Sequence, residues 1–161
     1  MEAIGYESGG KELLPRVKPL WEKLNWHHLL TSIYFKHHYS VFTFDGRQKR
    51  FLNESIRLLY VDLAHDQKHR QDVGYCITSV SREDVGEIES IYVDAEYRKL
   101  GLGDQLMKRA MVWLDDQGVT ARTLSVSVGN DDVLPFYQRY GFYPRKIVLE
   151  YIPPEKKMNE S

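Results

Sequence analysis

The sequence predicts a domain of mixed α/β class, in which an antiparallel meander of strands leads into one β-α-β crossover. Three observations predict it: helical spacing of apolar residues near the start, three closely spaced strand-like segments after it, and a further alternation of helix and strand towards the end. Short polar turns separate the three strand-like segments, which favours antiparallel pairing because a parallel pair needs a longer connection. A doubly wound parallel sheet is therefore not expected.

The first third of the chain is predicted to be mainly helical. Residues 2–6 form a short strand, and residues 11–30 form a helix whose apolar residues recur at helical spacing. Pro15 suits the first turn of this helix, whereas Pro19 indicates a kink or a later start. A second helix is expected over residues 44–53, and the aromatic, histidine-rich residues 31–43 between them are expected to be irregular or partly helical.

The rest of the chain is predicted to hold most of the sheet. Strands are expected over residues 56–63, 73–80 and 85–93, followed by a helix over residues 102–116 that ends at Gly118. A strand over residues 123–128, a short helix over residues 131–140 and a last strand over residues 145–151 complete the order. With 161 residues, the chain fits one domain, expected over residues 1–152, with a charged, flexible tail over residues 153–161.

Composition excludes several classes of function. The net charge of −1 provides no basic field for a nucleic acid, and no apolar run approaches the roughly 18–20 residues that span a bilayer. The single cysteine, Cys76, has no partner for an internal disulfide and is expected in the core, and Glu2 stands where myristoylation needs glycine. We therefore expect a cytoplasmic protein without nucleic-acid or membrane partners.

The two histidine doublets, at residues 27–28 and 37–38, do not predict a metal site. Adjacent residues on a helix point about 100° apart, so neither doublet chelates well, and no cysteine cluster accompanies them. We expect no metal, and we assign these histidines to the surface or to a substrate site.

The predicted strand over residues 85–93 does not alternate cleanly. Ile88 is apolar, yet so are Ile91 and Val93, which lie at odd offsets from it. Such a switch of the buried side indicates a β-bulge, and the alternative is a strand that is buried on both faces.

A glycine-containing loop follows this strand and precedes the helix over residues 102–116. Gly101 and Gly103 permit close approach of the backbone, and the amides near Leu100 to Asp104 lie at a helix N-terminus, where phosphate binds well. A dinucleotide fingerprint needs a third glycine where Leu106 stands, and a P-loop needs Gly-Lys-Ser/Thr, which is absent after Gly103. The pattern alone predicts only a generic phosphate site.

Three motifs together resemble the GNAT superfamily of N-acetyltransferases. Arg98-x-x-Gly101-x-Gly103 matches the family signature Arg/Gln-x-x-Gly-x-Gly/Ala, and residues 91–97 (IYVDAEY) resemble the strand and turn before it. Asn130 with residues 136–142 (FYQRYGF) resembles the family's Asn…Phe-Tyr…Gly-Phe segment. The resemblance covers residues 74–149, and the preceding residues add only the order of elements.

This resemblance implies a GNAT fold, with a twisted, mostly antiparallel mixed sheet of six to seven strands and four helices. It implies that the fourth and fifth strands splay apart, that the pantetheine arm of acetyl-CoA enters the gap, and that the pyrophosphate rests on the following loop. It assigns cofactor binding to Ile91, Tyr92, Val93, Arg98, Lys99, Leu100, Gly101, Leu102, Gly103, Asp104 and Asn130.

The resemblance also implies roles in catalysis. Glu89 matches the family's base on the bulged strand, with Glu87 or a water relay as alternatives, and Tyr137 matches the proton donor to the leaving thiolate. The implied reaction is transfer of an acetyl group from acetyl-CoA to a primary amine in a ternary complex. A catalytically silent acyl-CoA-binding module and a nucleotide-binding protein unrelated to CoA remain alternatives.

The acceptor is left open by the sequence. A small-molecule amine and a peptide are both compatible with the motifs, and so are a monomer and a homodimer. The expected acceptor region, residues 21–51, is rich in Trp, Tyr, Phe and His, which indicates a partly aromatic pocket.

Overall fold

The structure, a computed structural model, describes residues 3–157 and shows one five-stranded sheet with helices on both faces. The strands are β1 (Ile4–Gly9), β2 (Ile56–Asp66), β3 (Gln71–Ser81), β4 (Val85–Val93) and β5 (Ala121–Leu124). The helices are α1 (Leu14–Thr31), α2 (Lys36–Val41), α3 (Phe44–Phe51), α4 (Leu102–Gln117) and α5 (Leu134–Gln138). Short 3-10 turns cover Lys11–Leu13, Ala95–Tyr97, Asp131–Val133 and Pro154–Lys156.

The strands lie in the sheet in their chain order. β1 to β4 pair antiparallel with their neighbours, and β5 pairs parallel with β4 after the crossover through α4. The parallel step requires this crossover, because a hairpin can join only antiparallel strands. The predicted mixed class, a meander followed by one β-α-β unit, is confirmed.

The number of strands is smaller than predicted. Six to seven were expected, and residues 3–157 form five, because residues 145–151 do not pair as a strand. Ile147 and Leu149 in this segment are 82% and 90% exposed. A β-prone sequence becomes a strand only where a sheet edge accepts its hydrogen bonds, and here Tyr151 and its neighbours lie beside α2 instead.

The ends of the chain refine two further predictions. β1 begins at Ile4, later than the strand expected over residues 2–6, and residue 2 lies outside the described residues. In the expected tail, Pro154–Lys156 form a 3-10 turn, and residues 158–161 lie outside the described residues.

The first long helix starts as the prolines indicate. A 3-10 turn precedes α1, Pro15 lies in its first turn, and Pro19 lies inside the helix. Proline lacks an amide hydrogen, so Pro19 removes one bond from the helix ladder without ending the helix. The apolar residues cover one face of α1 and are buried at Leu14, Val17, Leu20 and Trp21.

Two layers of apolar side chains cover the faces of the sheet. On one face, α1 and α3 pack through Trp21, Phe44 and Phe51 against Leu63 and Tyr75. On the other face, α4 packs against the sheet through its buried residues Leu106, Met107, Ala110 and Leu114. Within residues 3–157, no helix has both the length and the hydropathy needed to cross a bilayer. This packing fixes α1 above the carboxyl end of β4, where the candidate site lies.

Candidate active site

The fourth strand contains a β-bulge at Glu89. Ile77 of β3 pairs with Ser90 and Thr78 pairs with Ile88, so Glu89 has no partner residue on β3. The bulge predicted from the change of buried side is confirmed. Because the extra residue is left out of the ladder, its carbonyl oxygen is available to accept a hydrogen bond of 2.7 Å from Nη2 of Arg47.

The fourth and fifth strands pair only over their first residues. Their parallel ladder ends at Ile88 and Leu124, and β5 ends there too, earlier than the expected residue 128. β4 continues to Val93 without β5 as a partner. The two segments therefore separate beyond Ile88, as the resemblance implied.

A cavity of about 230 Å³ lies where the strands separate. Residues of β4 and of the chain after β5 form two of its walls, and α1 to α3 and α5 close the rest. The lining residues are Trp21, Leu24, Asn25, His28, His38, Tyr39, Phe42, Arg47, Ile88, Glu89, Ser90, Ile91, Leu124, Ser125, Val126, Ser127, Asn130, Val133 and Tyr137.

The N-terminus of α4 forms an anion-binding geometry at the carboxyl end of β4. Gly101 occupies the cap position with φ of 82° and without a side-chain cap, and Lys99 has φ of 71°. The first backbone bond of the helix joins the amide of Gln105 to the carbonyl of Gly101 at 3.0 Å. The amides of Leu102 to Asp104 precede this bond, so they form the positive end of the helix dipole, where phosphate is stabilised.

Asp104 is a negative side chain in this first turn, and its contacts hold it away from the capping position. Its carboxylate accepts a hydrogen bond from the hydroxyl of Tyr140 and pairs with Nη2 of Arg139 at 2.7 Å. The Tyr140 hydrogen bond and the Arg139 charge hold the pKa of Asp104 below its ordinary value. Arg139 therefore neutralises the charge that would oppose an anion at this helix end.

Most of the remaining predicted cofactor residues lie on β4 after the bulge or in the loop before α4. Ile91, Tyr92 and Val93 follow the bulge and are half-buried. Arg98 returns to the same strand: its Nε donates to the carbonyl of Val93 at 3.0 Å, and its guanidinium lies 5.5 Å from the centre of the Tyr92 ring. Leu100 is an exposed residue of the loop.

Glu89 lies in a network that the sequence did not predict. Its side chain is 1% exposed, and its Oε2 lies 3.3 Å from Nε of Arg50 and 3.5 Å from Nη2 of Arg47. Its other oxygen accepts a hydrogen bond of 2.8 Å from the hydroxyl of Ser79. Two cations and a hydroxyl compensate the cost of burying this carboxylate. The signal for this network was the spacing of Arg47 and Arg50, which places both on one face of α3.

Glu87, the alternative base, differs in its surroundings. Its side chain is 22% exposed and pairs with Nη2 of Arg50. Desolvation raises the pKa of Glu87, the charge of Glu89 raises it further, and Arg50 opposes both. Glu87 is therefore a stronger base than an ordinary glutamate, but it does not line the cavity.

Tyr137 lines the same cavity as Glu89. It belongs to α5, and its ring contacts Phe136 with 5.3 Å between the ring centres. Burial, with a smaller contribution from Cys76, raises the pKa of the Tyr137 hydroxyl to about 12. The hydroxyl therefore keeps its proton at neutral pH and is available as a proton donor.

Cys76 itself is buried in the core, as predicted, and burial raises its thiol pKa to about 12.

The loop before α5 packs closely on the end of α1. A Cβ built at Gly129 would lie 2.2 Å from the carbonyl oxygen of Thr31, so only glycine permits this approach. The contact brings Nε2 of His27 to 3.4 Å from Oδ1 of Asn130. Asn130 occupies the cap position of the 3-10 turn over Asp131–Val133, but its side chain makes no cap bond.

The histidines separate into different environments. The His28 ring lies against Tyr39 with 5.4 Å between centres, and the His38 ring stacks on Phe42 at 4.8 Å. Burial, with a smaller contribution from His27, lowers the pKa of His28 to about 4. Among residues 3–157, no group of three or more His, Cys, Asp or Glu side chains is arranged to hold a metal ion. The sequence did not distinguish His28 from the other histidines, because its burial depends on the packing of α2 on α1.

The structure thus brings Glu89, Ile91, Asn130 and Tyr137 around one cavity, although they are up to 48 positions apart in the chain. The loop from Arg98 to Asp104 lies outside the lining of the cavity, at the start of α4. An elongated ligand with an anionic group at one end and a reactive group at the other fits this arrangement.

Comparisons with known proteins agree with this geometry. The sequence profile of the acetyltransferase (GNAT) family matches residues 21–142. An uncharacterised N-acetyltransferase of Methanocaldococcus jannaschii is 29% identical over 82 residues, which are 51% of this chain and 36% of that protein. A mycothiol acetyltransferase of Kytococcus sedentarius is 32% identical over 107 residues, which are 66% of this chain and 35% of that protein. The matches therefore span about a third of the length of these curated relatives.

The fold also matches a solved structure over nearly its whole length. The aminoglycoside N-acetyltransferase AAC(6')-Iy, solved in complex with CoA, superposes with a TM-score of 0.67 and 17% identity. The match covers 96% of this chain and 97% of that one. At this identity the likeness concerns the fold alone.

Proposed function

Because the chain belongs to the GNAT acetyltransferase family, we propose that it transfers an acetyl group from acetyl-CoA to a primary amine by direct attack in a ternary complex. One observation carries the proposal: the bulged strand separates from its parallel neighbour beside an uncapped helix N-terminus. The cavity at the separation and the anion site at the helix correspond to the two ends of a CoA thioester.

In the proposed complex, acetyl-CoA lies along the carboxyl half of β4. The backbone of Ile91 and Val93 would bond the amides of the pantetheine arm, with Tyr92 between them. The pyrophosphate would rest on the amides of the loop, with the charges of Arg98 and Lys99 beside it. The proposed cofactor contacts are Ile91, Tyr92, Val93, Arg98, Lys99, Leu100, Gly101, Leu102, Gly103, Asp104 and Asn130.

The proposed chemistry needs a base and an acid on opposite sides of the thioester. The amine loses a proton towards Glu89, directly or through water, while its nitrogen forms a bond to the acetyl carbon. The carbon–sulfur bond then breaks, and the Tyr137 hydroxyl donates a proton to the thiolate. Glu87 remains the alternative base, since its pKa is raised. The N-acetylated product and free CoA balance the step.

The test is release of CoA thiol from acetyl-CoA with amino acids, polyamines, aminoglycosides and short peptides as acceptors. We expect acceptor-dependent thiol release, one N-acetylated product per thiol, and thermal stabilisation by CoA. CoA binding without thiol release on any amine would contradict the proposal and favour a silent acyl-CoA-binding module. Stabilisation by ATP or NAD but not by CoA would contradict both.

A further inference from the structure

We propose that residues 145–151 (RKIVLEY) pair as an antiparallel two-stranded ribbon with the same segment of a second copy of this chain, about a twofold axis at Val148. The ribbon is then the centre of a homodimer interface. Three features of the chain carry this inference: the exposure of the segment, its self-complementary charges, and the apolar surface beside it. None of them depends on the proposed function.

The first feature is the exposure of residues 145–151. Every residue of this segment is exposed, and within residues 3–157 it pairs with no strand of the sheet. Its large apolar side chains are 73% to 90% exposed, and these are Ile147, Val148, Leu149 and Tyr151. Isoleucine, valine and tyrosine favour strands, so an exposed run of them is a template for pairing with another strand.

The second feature is the order of charges along the segment. Lys146 lies near its amino end and Glu150 near its carboxyl end, and within residues 3–157 neither forms an ion pair. In an antiparallel pair with a twofold axis at Val148, Lys146 of each copy faces Glu150 of the other. An axis at Ile147 or at Leu149 would place one of these charges opposite valine. The charges therefore select a second copy of the segment as partner and Val148 as the centre.

The same register also matches the apolar residues. Ile147 faces Leu149 of the second copy, and Arg145 faces the ring of Tyr151. Because side chains alternate between the two faces of a strand, one face of the ribbon holds Val148 of both copies between the two ion pairs. The other face holds Ile147, Leu149 and Tyr151 of both copies, and it is mainly apolar.

The third feature is the surface beside this segment. Glu150 and Tyr151 line a surface cleft together with Tyr34 and Val41, which are 68% and 62% exposed. None of the residues of α2 (Lys36–Val41) is buried. A two-stranded ribbon alone is only marginally stable in water, so its apolar face needs such a surface to pack against. Dimer formation would cover both.

The edge of the sheet is the rival partner for this segment. β5 is an edge strand of four residues (Ala121–Leu124), so it offers fewer partners than the seven residues of a second copy. Exchange of the segment onto the β5 edge of another chain is therefore the arrangement that the cysteine variants below must separate from the ribbon.

The first experiment measures the oligomeric state by sedimentation at roughly 1–100 μM protein. We expect reversible dimerisation of the wild type and a monomer for Leu149→Asp, because a carboxylate on the apolar face of the ribbon is unfavourable. Leu149 is 90% exposed, so this variant should keep the melting temperature of the monomer. The matched control is Val112→Asp, at a 59% exposed position of α4, which should dimerise like the wild type. A wild type that is monomeric throughout would overturn the inference.

The second experiment exchanges the charges. Lys146→Glu and Glu150→Lys should each raise the dissociation constant of the dimer about tenfold or more, because each places like charges opposite one another twice. The double variant restores both ion pairs in reverse, and its dissociation constant should return to within about threefold of wild type. A double variant as weak as the single variants, or single variants without effect, would exclude pairing about Val148.

The third experiment uses cysteines. The two copies of Val148 face each other with Cβ atoms roughly 4.5–5.5 Å apart, so Val148→Cys should form an intermolecular disulfide under mild oxidation. Lys146→Cys alone should not, whereas a mixture of Lys146→Cys and Glu150→Cys should. The native Cys76 is buried and does not compete. A dimer in which Val148→Cys stays reduced, or cross-links only to a chain carrying Thr123→Cys on β5, would overturn the ribbon.

Discussion

The two walls of the cleft are built in different ways. The proposed donor wall, from the bulge at Glu89 to the start of α4, is a continuous stretch of chain that ends in the free amides of a helix N-terminus. The acceptor wall consists of side chains from α1, α2 and α3, held together by ring contacts and by ion pairs to β4. In the proposed complex, the first wall would bind acetyl-CoA through backbone groups, and the second wall would select the acceptor through side chains.

Glu89 connects the two walls, and its replacement tests that connection. Glu89→Gln should lower kcat by at least about 100-fold, because the amide accepts no proton. It should also lower the free energy of unfolding by about 2 kcal/mol, since Arg47 and Arg50 lose their buried partner. Steady-state assays of thiol release measure the change in kcat, and denaturant unfolding measures the change in the free energy of unfolding. Wild-type turnover in Glu89→Gln together with a loss in Glu87→Gln would assign the base to Glu87.

A substitution at Tyr137 tests the proposed proton donation to the thiolate without changing the charge of the site. Tyr137→Phe should lower kcat by about 100-fold and leave the dissociation constant of CoA within about twofold, because the ring still packs and only the proton donor is lost. Steady-state kinetics and calorimetry provide both values. Tyr143, which is 71% exposed, offers Tyr143→Phe as the control, with no expected change in either. Unaltered turnover in Tyr137→Phe would make its role structural.

A substitution at His28 tests whether burial of this imidazole makes the stability of the protein depend on pH. The folded-state pKa of about 4 lies below the ordinary value of 6.5, so the unfolded chain binds more protons between these values. The stability gained by keeping His28 neutral in the folded state is complete above about pH 6.5. It is lost as the pH falls towards 4. Between pH 7 and pH 5 the loss is about 2 kcal/mol, and His28→Asn should remove it. Urea unfolding at both pH values checks this, and an equal pH dependence in both proteins would contradict it.

Substitutions at Gly101 and Gly118 distinguish an effect on the anion site from an effect of backbone strain alone. Both have positive φ, 82° and 63°, at opposite ends of α4, and a Cβ meets no atom within 4 Å at either. Valine at each should therefore lower the free energy of unfolding by a similar amount, about 1–2 kcal/mol. Only Gly101→Val should weaken CoA binding, by about tenfold, since it alters the amides of the anion site. Equal CoA affinity in the two variants would place the pyrophosphate elsewhere.

The features that could be predicted from the sequence were those set by residues close together in the chain. The bulge followed from the positions of Ile88, Ile91 and Val93, and the end of α4 followed from Gly118. The last strand, over residues 145–151, was wrong for the opposite reason: its sequence favours a strand, but pairing depends on an edge that this segment does not reach.

The candidate site was predictable to a similar degree. Motif spacing selected Glu89, Tyr137 and the loop after β4, and the structure places Glu89 and Tyr137 on one cavity and the loop beside it. The roles assigned to these residues stay predictions until the variants are measured. The ion pairs of Glu89 were not predicted, because Arg47 and Arg50 lie about 40 positions before it and meet it only when α3 packs on β4.

The sequence by itself determined the class of the fold, the bulge and the glycine-containing loop before α4, because these depend on residues that are neighbours in the chain. The tertiary structure alone decided that Glu89 pairs with two cations, that Nδ1 of His28 is buried without a hydrogen bond, and that aromatic rings of α1 and α2 line the cavity. Burial and pairing are properties of contacts between distant segments. One sequence states which residues are available for such contacts but not which of them meet.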